Sequence, residues 1–401
     1  MDFRGDDAIA RRVQAFEARL GQARSNDLYY YNQPIQELRG GSRVMVRGRE
    51  MGMYASYSYL GLIGHPRINA AARQAIDELG TGTHGVRLLA GSLELHRHLE
   101  ATIAAFKRAE AAITFSSGYV TNLTVISALI GRGDYVISDK LNHASIVDGC
   151  LISGAEFRRF KHNDIADLEN RLKLVPDDAT RLVIVDAVFS MDGDVIDLPG
   201  VVEVCRRHGA YLMVDEAHSV GVLGATGRGI EEHFGLEDGI DIKMGTLSKT
   251  IPSVGGYVAG QAELIDYLRH ASRAYIFSAA LPPAQAAAAN EAFRVILDEP
   301  ERIRQLTRNS QLFINGLKSA GFDTLATTTA IVPVVCGSDE LAFQMTRDAQ
   351  RRDVFVLPVV SPAVPEGLAR LRATVTAAHE PVEMERAIEI IAEAGRNLGI
   401  I

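Results

Sequence analysis

Tryptophan is absent from the 401-residue chain, and cysteine is scarce. Cys150, Cys205 and Cys336 are odd in number, far apart and outside any C-x-x-C spacing. This pattern argues against a disulfide framework and against a thiolate metal site. We interpret these residues as buried thiols of a protein in a reducing compartment, which predicts a cytoplasmic location. The histidines show no metal-ligand spacing either, so no metal is expected.

Long runs of apolar or charged residues are also missing. No stretch of about 18 apolar residues lacks a charge, so no membrane-spanning helix is expected. The opening segment, residues 1–7, is too acidic and too polar for a signal peptide. The chain has 42 Lys+Arg against 50 Asp+Glu, a formal charge of -8, and neither sign forms a long run. Nucleic acid and anionic membranes are therefore poor candidate partners.

Apolar residues are plentiful, at 47% of the chain, and they alternate between short strand patterns and helical patterns. Such alternation predicts an α/β fold with a mostly parallel central sheet covered by helices on both faces. Ligands of these folds bind at the carboxyl ends of the strands, where Asp186, Asp215 and Lys249 are expected. The predicted strands are 112–115, 135–138, 156–160, 182–189, 211–214, 242–245 and 256–258, with helices at 120–130, 165–174 and 198–208.

The two ends of the chain differ from this central pattern. An amphipathic helix is predicted over 7–24, packing either on a second subunit or on the chain's own C-terminal part, and a hairpin over 43–54. The predicted organisation is an N-terminal helix and arm (1–52), a large cofactor-binding domain (53–290) and a smaller α+β domain (291–401). Elements predicted for the last domain are helices at 301–320 and 381–398 and strands at 331–336, 354–357 and 370–375.

Lys249 is the residue around which the predicted site is organised. It follows a short strand among small and hydroxyl side chains, a setting that can desolvate its amine and favour the neutral form. Such an amine can bind pyridoxal phosphate, which also needs an acid at its pyridine nitrogen and donors for its phosphate. Asp215 would supply the acid, and His218 would contact the ring hydroxyl. Thr246 and Ser248 flank the lysine as phosphate donors.

A turn of small residues opens the predicted helix at 120–130. The first amides of a helix are free to bind an anion, so Ser117, Gly118 and Tyr119 are candidate phosphate ligands. The segment 80–91 contains four glycines. It is either a loop that brings backbone close to a ligand or a flexible connector.

His143 and Arg372 each allow two interpretations. His143 follows a predicted strand and is either structural or stacked on the cofactor ring. Arg372 alternates with Arg370 along a predicted strand, and an arginine can hold a substrate carboxylate with two parallel hydrogen bonds. Either arginine could instead lie at the surface.

Several motifs follow one another in an order that resembles the α-oxoamine synthase family. The resemblance covers roughly residues 50–380. It implies the fold-type I architecture of transferases that depend on pyridoxal phosphate (PLP). Members of the family are usually homodimers with shared active sites. It also implies condensation of a small amino acid with an acyl thioester of coenzyme A or acyl-carrier protein, with loss of carbon dioxide, to give an α-amino ketone. Among the motifs are Asn142-His143-Ala144-Ser145, Val188-Phe189-Ser190-Met191-Asp192-Gly193-Asp194, Asp215-Glu216-Ala217-His218-Ser219 and Gly245-Thr246-Leu247-Ser248-Lys249.

The same resemblance implies a role for each matching residue. Lys249 would carry the cofactor and remove the Cα proton, Asp215 would hold the pyridine nitrogen, and His143 would stack on the ring. The ring hydroxyl would contact His218 and Ser190. The phosphate would be held by backbone groups of Gly118 and Tyr119, by Thr246, and by Ser278 from the neighbouring subunit, and Arg372 would hold the substrate carboxylate. Ser117 and Ser248 are predicted as further cofactor contacts, and Ser58 and Thr374 as further substrate contacts.

Some residues depart from the family pattern, and these departures bear on which substrate is used. Tyr57-Ser58 stands where many members have an asparagine pair, and Ala279 replaces a frequent threonine beside Ser278. These departures predict a secondary-metabolite or lipid-base synthase. Two alternatives are another fold-type I reaction, such as transamination or Cα–Cβ cleavage, and a non-catalytic partner subunit. The presence of Lys249 argues against the second.

Overall fold

The computed structural model describes residues 7–401, apart from the side chains of Arg19 and Gln22. Residues 1–6, on which the signal-peptide interpretation partly depends, lie outside the described residues. The helices are α1 (Ala8–Ser25), α2 (Pro66–Leu79), α3 (Glu94–Phe106), α4 (Gly118–Leu129), α5 (Ala144–Ser153), α6 (Ile165–Leu172), α7 (Leu198–Arg207), α8 (Ile230–Phe234), α9 (Ala262–Ala271), α10 (Arg273–Phe277), α11 (Pro283–Asp298), α12 (Glu301–Ala320), α13 (Asp339–Gln350) and α14 (Pro381–Asn397). The strands are β1 (Ile35–Arg39), β2 (Arg43–Val46), β3 (Arg49–Met53), β4 (Ala111–Phe115), β5 (Tyr135–Asp139), β6 (Glu156–Phe160), β7 (Arg181–Asp186), β8 (Tyr211–Asp215), β9 (Ile242–Thr246), β10 (Gly256–Gly260), β11 (Ile331–Gly337), β12 (Val354–Phe355), β13 (Pro358–Val359) and β14 (Ala369–Thr374).

The centre of the molecule is a seven-stranded sheet in the order β4-β10-β9-β8-β7-β5-β6. Only β10 runs antiparallel to its neighbours in this sheet; the other adjacent pairs are parallel. Buried apolar side chains lie on both faces of it. The predicted α/β architecture with a mostly parallel sheet is therefore confirmed. Because β5, β7 and β8 are parallel, their last residues, Asp139, Asp186 and Asp215, lie along one edge.

Two smaller sheets complete the described part of the chain. One has the order β1-β2-β3-β12, in which β12 pairs with β3 in parallel. The other has the order β11-β14-β13 and is antiparallel. The first sheet therefore joins the N-terminal segment to the C-terminal part of the chain.

Two main hydrophobic clusters pack around these sheets, one on the central sheet and one on the C-terminal sheet. This separation supports the proposed division into a large domain and a smaller α+β domain. Phe293 and Leu306 belong to the cluster of the central sheet, whereas Phe313 belongs to the C-terminal cluster. We therefore propose that the division falls inside α12, somewhat later than residue 290.

The predicted strand over 182–189 is too long, because β7 ends at Asp186. There the backbone turns away: Val188 pairs with Val195 in an isolated bridge, and the amide of Phe189 donates to the carbonyl of Asp194 at 3.1 Å. The apolar sequence continues through this turn because Val188 and Phe189 are buried. Across residues 7–401, none of the helices combines the length and apolarity needed to cross a bilayer.

Candidate active site

A cavity of about 240 Å³ lies at the carboxyl edge of the central sheet, where α4 and α5 begin. Most of the residues that the sequence assigns to the cofactor surround it, although they come from distant parts of the chain. The cavity is lined by Ser117, Gly118, Tyr119, Asn122, His143, Ser145, Asp186, Val188, Ser190, Asp215, Ala217, His218, Met244, Thr246, Ser248 and Lys249.

The amine of Lys249 lies 2.8 Å from Nε2 of His218. Burial lowers the pKa of Lys249 from 10.5 to about 8, although the nearby carboxylates of Asp215 and Asp186 oppose this shift. Burial, together with the charge of Lys249, also lowers the pKa of His218 well below its ordinary value. The second ring nitrogen of His218 lies 2.6 Å from the hydroxyl of Tyr59. The amine thus faces an imidazole whose lowered pKa favours the neutral form. The lowered pKa of the amine makes its own neutral form accessible near physiological pH.

Asp215 is held at the end of β8 by two donors. The side-chain amide of Asn122 donates to its Oδ2 at 2.8 Å, and the amide of Ala217 donates to its Oδ1 at 2.9 Å. Asp186 lies beside it on β7, in direct register. Burial and the adjacent charge of Asp215 raise the pKa of Asp186 well above its ordinary value. This shift favours the protonated form of Asp186.

His143 stands just before α5, where its side chain has a structural role. Its Nδ1 accepts from the amide of Ser145 at 3.3 Å and lies 2.8 Å from the Ser145 hydroxyl, so the ring caps the helix. Its backbone amide donates to Asp186 at 3.0 Å. Burial lowers the pKa of His143, which favours an uncharged ring. The ring nevertheless lines the cavity.

The start of α4 approaches β9 and β10 closely. A Cβ atom at Gly118 would lie 2.9 Å from Oγ1 of Thr246, and one at Gly256 would lie 2.8 Å from Cα of Gly118. The hydroxyl of Ser117 caps the helix by accepting from the amide of Val120 at 3.2 Å. The amides of Gly118 and Tyr119 have no partners within the helix, so they offer an anion cradle at this end of the cavity, whereas the hydroxyl of Thr246 already donates to the carbonyl of Gly255 at 3.1 Å.

Arg370 and Arg372 are both buried, so the alternative of a surface position is wrong for both. The guanidinium of Arg370 is engaged by Asp192 and by the carbonyls of Leu368 and Met191. Arg372 donates to the carbonyl of Ser190 at 2.6 Å, but its buried Nη2 has no hydrogen-bond partner. Arg372 is therefore the arginine with a donor left for a ligand.

The remaining predicted residues lie outside this cavity. Thr374 is buried and accepts from Nη1 of Arg372 at 3.2 Å. Ser58 is buried beside Tyr57, on the wall of a neighbouring cavity that also reaches Lys249. Ser278 follows α10 and does not line the cavity of its own chain. The glycine-rich segment 80–91 does not line it either.

Comparison with known proteins identifies the family. Residues 54–391 match the model of aminotransferase class I and II. The 8-amino-7-oxononanoate synthase of Geobacter sulfurreducens is 44% identical over 97% of this chain and 100% of its own. That of Thermoanaerobacter pseudethanolicus is 44% identical over 93% of this chain and 94% of its own. A serine palmitoyltransferase variant from S. paucimobilis, solved with a bound PLP–myriocin aldimine, superposes with a TM-score of 0.96 at 34% identity, covering 99% of this chain and 100% of that one.

The chain is an α-oxoamine synthase of the aminotransferase class I and II family. This α-oxoamine synthase is a PLP-dependent acyltransferase with the fold-type I architecture. It catalyses the decarboxylative condensation of a small amino acid with an acyl thioester, which gives an α-amino ketone, carbon dioxide and a free thiol.

The groups that line the cavity of the synthase match those that pyridoxal phosphate needs. It offers an amine of lowered pKa, a carboxylate fixed by two hydrogen bonds and a cradle of helix amides kept open by Gly118. When bound, the cofactor supplies an electron sink for negative charge at the substrate Cα. Among the described residues, no group of three or more His, Cys, Asp or Glu is arranged to hold a metal ion.

Sequence reasoning missed three residues that shape this site. Asn122, on the second turn of α4, bridges Asp215 and the hydroxyl of Ser145, and Tyr59 supports His218 from a loop. Asn122 carries a weak signal that could have been used: it is the one side-chain amide in α4, and it lies four residues after Gly118. Ser145 and Tyr59 carry no such signal, because the contacts of Ser145 with Asn122 and of Tyr59 with His218 are long-range.

His162 holds in place the turn that carries Ser190. Its Nδ1 lies 3.1 Å from Asp139 and its Nε2 lies 2.9 Å from Asp194. Burial lowers the pKa of His162, but the hydrogen bonds to Asp139 and Asp194 outweigh burial and raise it from 6.5 to about 10. The imidazolium therefore ties the end of β5 to the turn after β7.

We expect His162→Gln to lower the free energy of unfolding by about 2 kcal/mol near neutral pH, because charged hydrogen bonds are lost. Because the folded pKa is raised, the stabilisation is fully present below pH 6.5 and is lost as pH rises to about 10. Denaturant unfolding of both proteins over this range measures the difference, which should shrink with rising pH. The exposed His233→Gln is the control, and a difference independent of pH would contradict the assignment.

Proposed function

We propose that Lys249 anchors the cofactor and moves the Cα proton in this synthase. The observation that carries this assignment is the 2.8 Å contact between its amine and His218, in a setting that lowers the lysine pKa to about 8. A neutral amine can accept a proton, and the neutral His218 accepts or donates a hydrogen bond without adding charge. Tyr59 fixes the orientation of that imidazole.

Asp215 and His143 are proposed to hold the cofactor ring. Asp215 is oriented by Asn122 and by the amide of Ala217, so its carboxylate needs no rearrangement to face a pyridine nitrogen. The uncharged ring of His143 offers a flat surface at the cavity wall. Ser190 lines the same cavity and is proposed to contact the ring hydroxyl. The phosphate is assigned to Ser117, Gly118, Tyr119, Thr246 and Ser248.

Arg372 is proposed to hold the substrate carboxylate, with Thr374 and Ser58 as supporting contacts. The unpartnered Nη2 of Arg372 supports this role, since a buried donor without a partner is costly until a ligand supplies one. Its guanidinium lies 4.9 Å from the centroid of the Tyr57 ring, and the Lys249 amine lies 5.7 Å from the same centroid. The carboxylate site and the reacting amine are thus close together.

We expect Arg372→Lys to raise the KM for the amino acid by about tenfold or more, because an ammonium cannot donate two parallel hydrogen bonds. The KM for the thioester should change little. Steady-state kinetics with each substrate varied in turn separate these effects. The exposed Arg304→Lys serves as the control, and an unchanged amino-acid KM would remove Arg372 from the substrate site.

A cytoplasmic homodimer with shared sites is the proposed assembly. Leu89 and Phe277 expose 83% and 74% of their surface, although both are apolar. They lie next to the bridge that pairs Val86 with Ala279, beside Ser278. An apolar patch at this place is typical of a subunit contact. It supports the proposal that Ser278 reaches the phosphate of the neighbouring subunit.

The reaction itself is tested with purified holoenzyme. Glycine, alanine and serine are each offered with an acyl-CoA and with the same acyl group on a carrier protein. We expect release of carbon dioxide and free thiol that requires both substrates, and an α-amino ketone by mass spectrometry. A keto acid formed without any thioester would instead indicate transamination.

A further inference from the structure

Glu216 stands between two residues of the site, Asp215 and His218, but its side chain does not line the cavity. None of its surface is exposed. A carboxylate in such a place needs a partner for its charge, because an unpaired buried charge is costly. Since it does not line the cavity, the carboxylate can influence the reaction only through the residues that it holds.

The partner of Glu216 is Lys107, which comes directly after α3. Its Nζ lies 2.6 Å from Oε1 of Glu216, and the two side chains expose 2% and 0% of their surface. Oε1 has no hydrogen-bond partner besides this ammonium. The same ammonium donates to the carbonyl of Arg228, in the loop before α8. The ion pair thus joins the turn after β8 to the end of α3 and to that loop.

The other oxygen of Glu216 closes the turn that contains His218. Oε2 accepts from the hydroxyl of Ser219 at 2.8 Å and from the amide of Ile230 at 3.0 Å. The carbonyl of Glu216 accepts from the amide of Ser219 at 3.1 Å, and its own amide donates to the carbonyl of Met244 at 2.8 Å. His218 therefore stands between two residues that are bonded to each other through both backbone and side chain.

The loop before α8 approaches this carboxylate so closely that it needs a glycine. A Cβ atom at Gly229 would overlap Oε2 of Glu216 and would lie 3.1 Å from Nζ of Lys107. Gly229 also has a φ of 108°, a backbone conformation that other residues rarely adopt. The loop and the ion pair consequently form together, and the turn after β8 is fixed by both.

We propose that Glu216 is a positioning residue, whose ion pair with Lys107 fixes the turn that carries His218. This inference rests on the proposed function, because it takes the 2.8 Å contact of His218 with the Lys249 amine as the reacting arrangement. A displacement of about 1 Å at a reacting centre can lower turnover by about a hundredfold. A looser turn would also admit water to Lys249, whose lowered pKa depends on burial.

A second buried glutamate of the same region provides the matched control. Glu231 lies 2.8 Å from the amine of Lys243, with side chains that are 11% and 6% exposed, and it accepts from two backbone amides at 3.2 Å. These contacts lie outside the turn 215–219. Glu216→Gln and Glu231→Gln each leave one buried lysine unpaired, so both should lower the denaturant midpoint of unfolding.

Only Glu216→Gln is expected to change the site itself. In the holoenzyme we expect its kcat to fall at least about tenfold, with little change in the KM for the thioester. In the full chain freed of cofactor, acetylation of Lys249 by trace acetic anhydride is followed over pH by peptide mass spectrometry. The midpoint should rise from about 8 by about one unit in Glu216→Gln. Glu231→Gln should leave kcat within about twofold and the midpoint unchanged.

Two results would overturn the inference: equal losses of kcat in the two variants, or an unchanged Lys249 midpoint in Glu216→Gln. Glu216 would then contribute to stability alone. If the wild-type holoenzyme releases no carbon dioxide from any amino acid and thioester, the proposed function fails, and the inference fails with it. If Glu216→Gln does not fold, Lys107→Met combined with Glu216→Gln is measured in its place. That double variant has no unpaired charge, yet the link from the turn to α3 is still broken.

Discussion

Replacement of Lys249 by alanine is expected to reduce turnover at least about a thousandfold, because a nucleophilic amine that also moves the proton is lost. The cavity offers no second amine, since Lys249 is the only lysine among its lining residues. The protein should remain folded, because truncation leaves His218 paired with Tyr59. The visible absorbance of the bound cofactor should change at the same time.

Covalent attachment provides a readout that is independent of activity. Borohydride reduction of the wild type, followed by peptide mass spectrometry, should place the cofactor on Lys249. The Lys249→Ala protein should carry no adduct, and Lys140→Ala, at an exposed lysine, should behave as the wild type does. An adduct that persists in Lys249→Ala would show that another amine binds the cofactor.

Asp215→Asn is expected to lower kcat about a thousandfold, because a neutral amide cannot keep a pyridine nitrogen protonated. In either orientation of the new side chain, its NH₂ group would face one of the two donors that hold the carboxylate, Asn122 or the amide of Ala217. Cofactor retention on gel filtration and kcat are the measurements.

The matched control for this change lies on the neighbouring strand. Burial and the charge of Asp215 raise the pKa of Asp186 well above its usual range, so an amide at that position resembles the protonated form that this shift favours. We therefore expect Asp186→Asn to lower kcat far less than Asp215→Asn does. Equal losses in the two variants would mean that the charge of Asp215 is not what matters.

The catalytic edge of the fold could be predicted because it follows from local sequence. Asp215 and Lys249 each come directly after a short apolar strand, and the carboxyl ends of parallel strands share one edge of a sheet. The small residues before α4 likewise predict an anion cradle. Each of these signals lies within a few residues of the side chain concerned.

The contacts that tune this edge could not be predicted in the same way. Asn122 and Asp215 are 93 positions apart, and Tyr59 and His218 are 159 positions apart, so their contacts depend on the completed fold. The choice between Arg370 and Arg372 also required the structure. Both are buried on β14, where Arg370 pairs with Asp192 and Arg372 has a buried Nη2 without a partner.

The parallel pairing of β3 with β12 means that the first strands are not a removable appendage. Val354 and Phe355 add to a sheet edge that residues 49–53 provide. A chain shortened to begin at residue 53 would lose most of β3 and would leave β12 without its neighbour. Truncation of the amino-terminal arm should therefore destabilise the C-terminal part of the polypeptide as well.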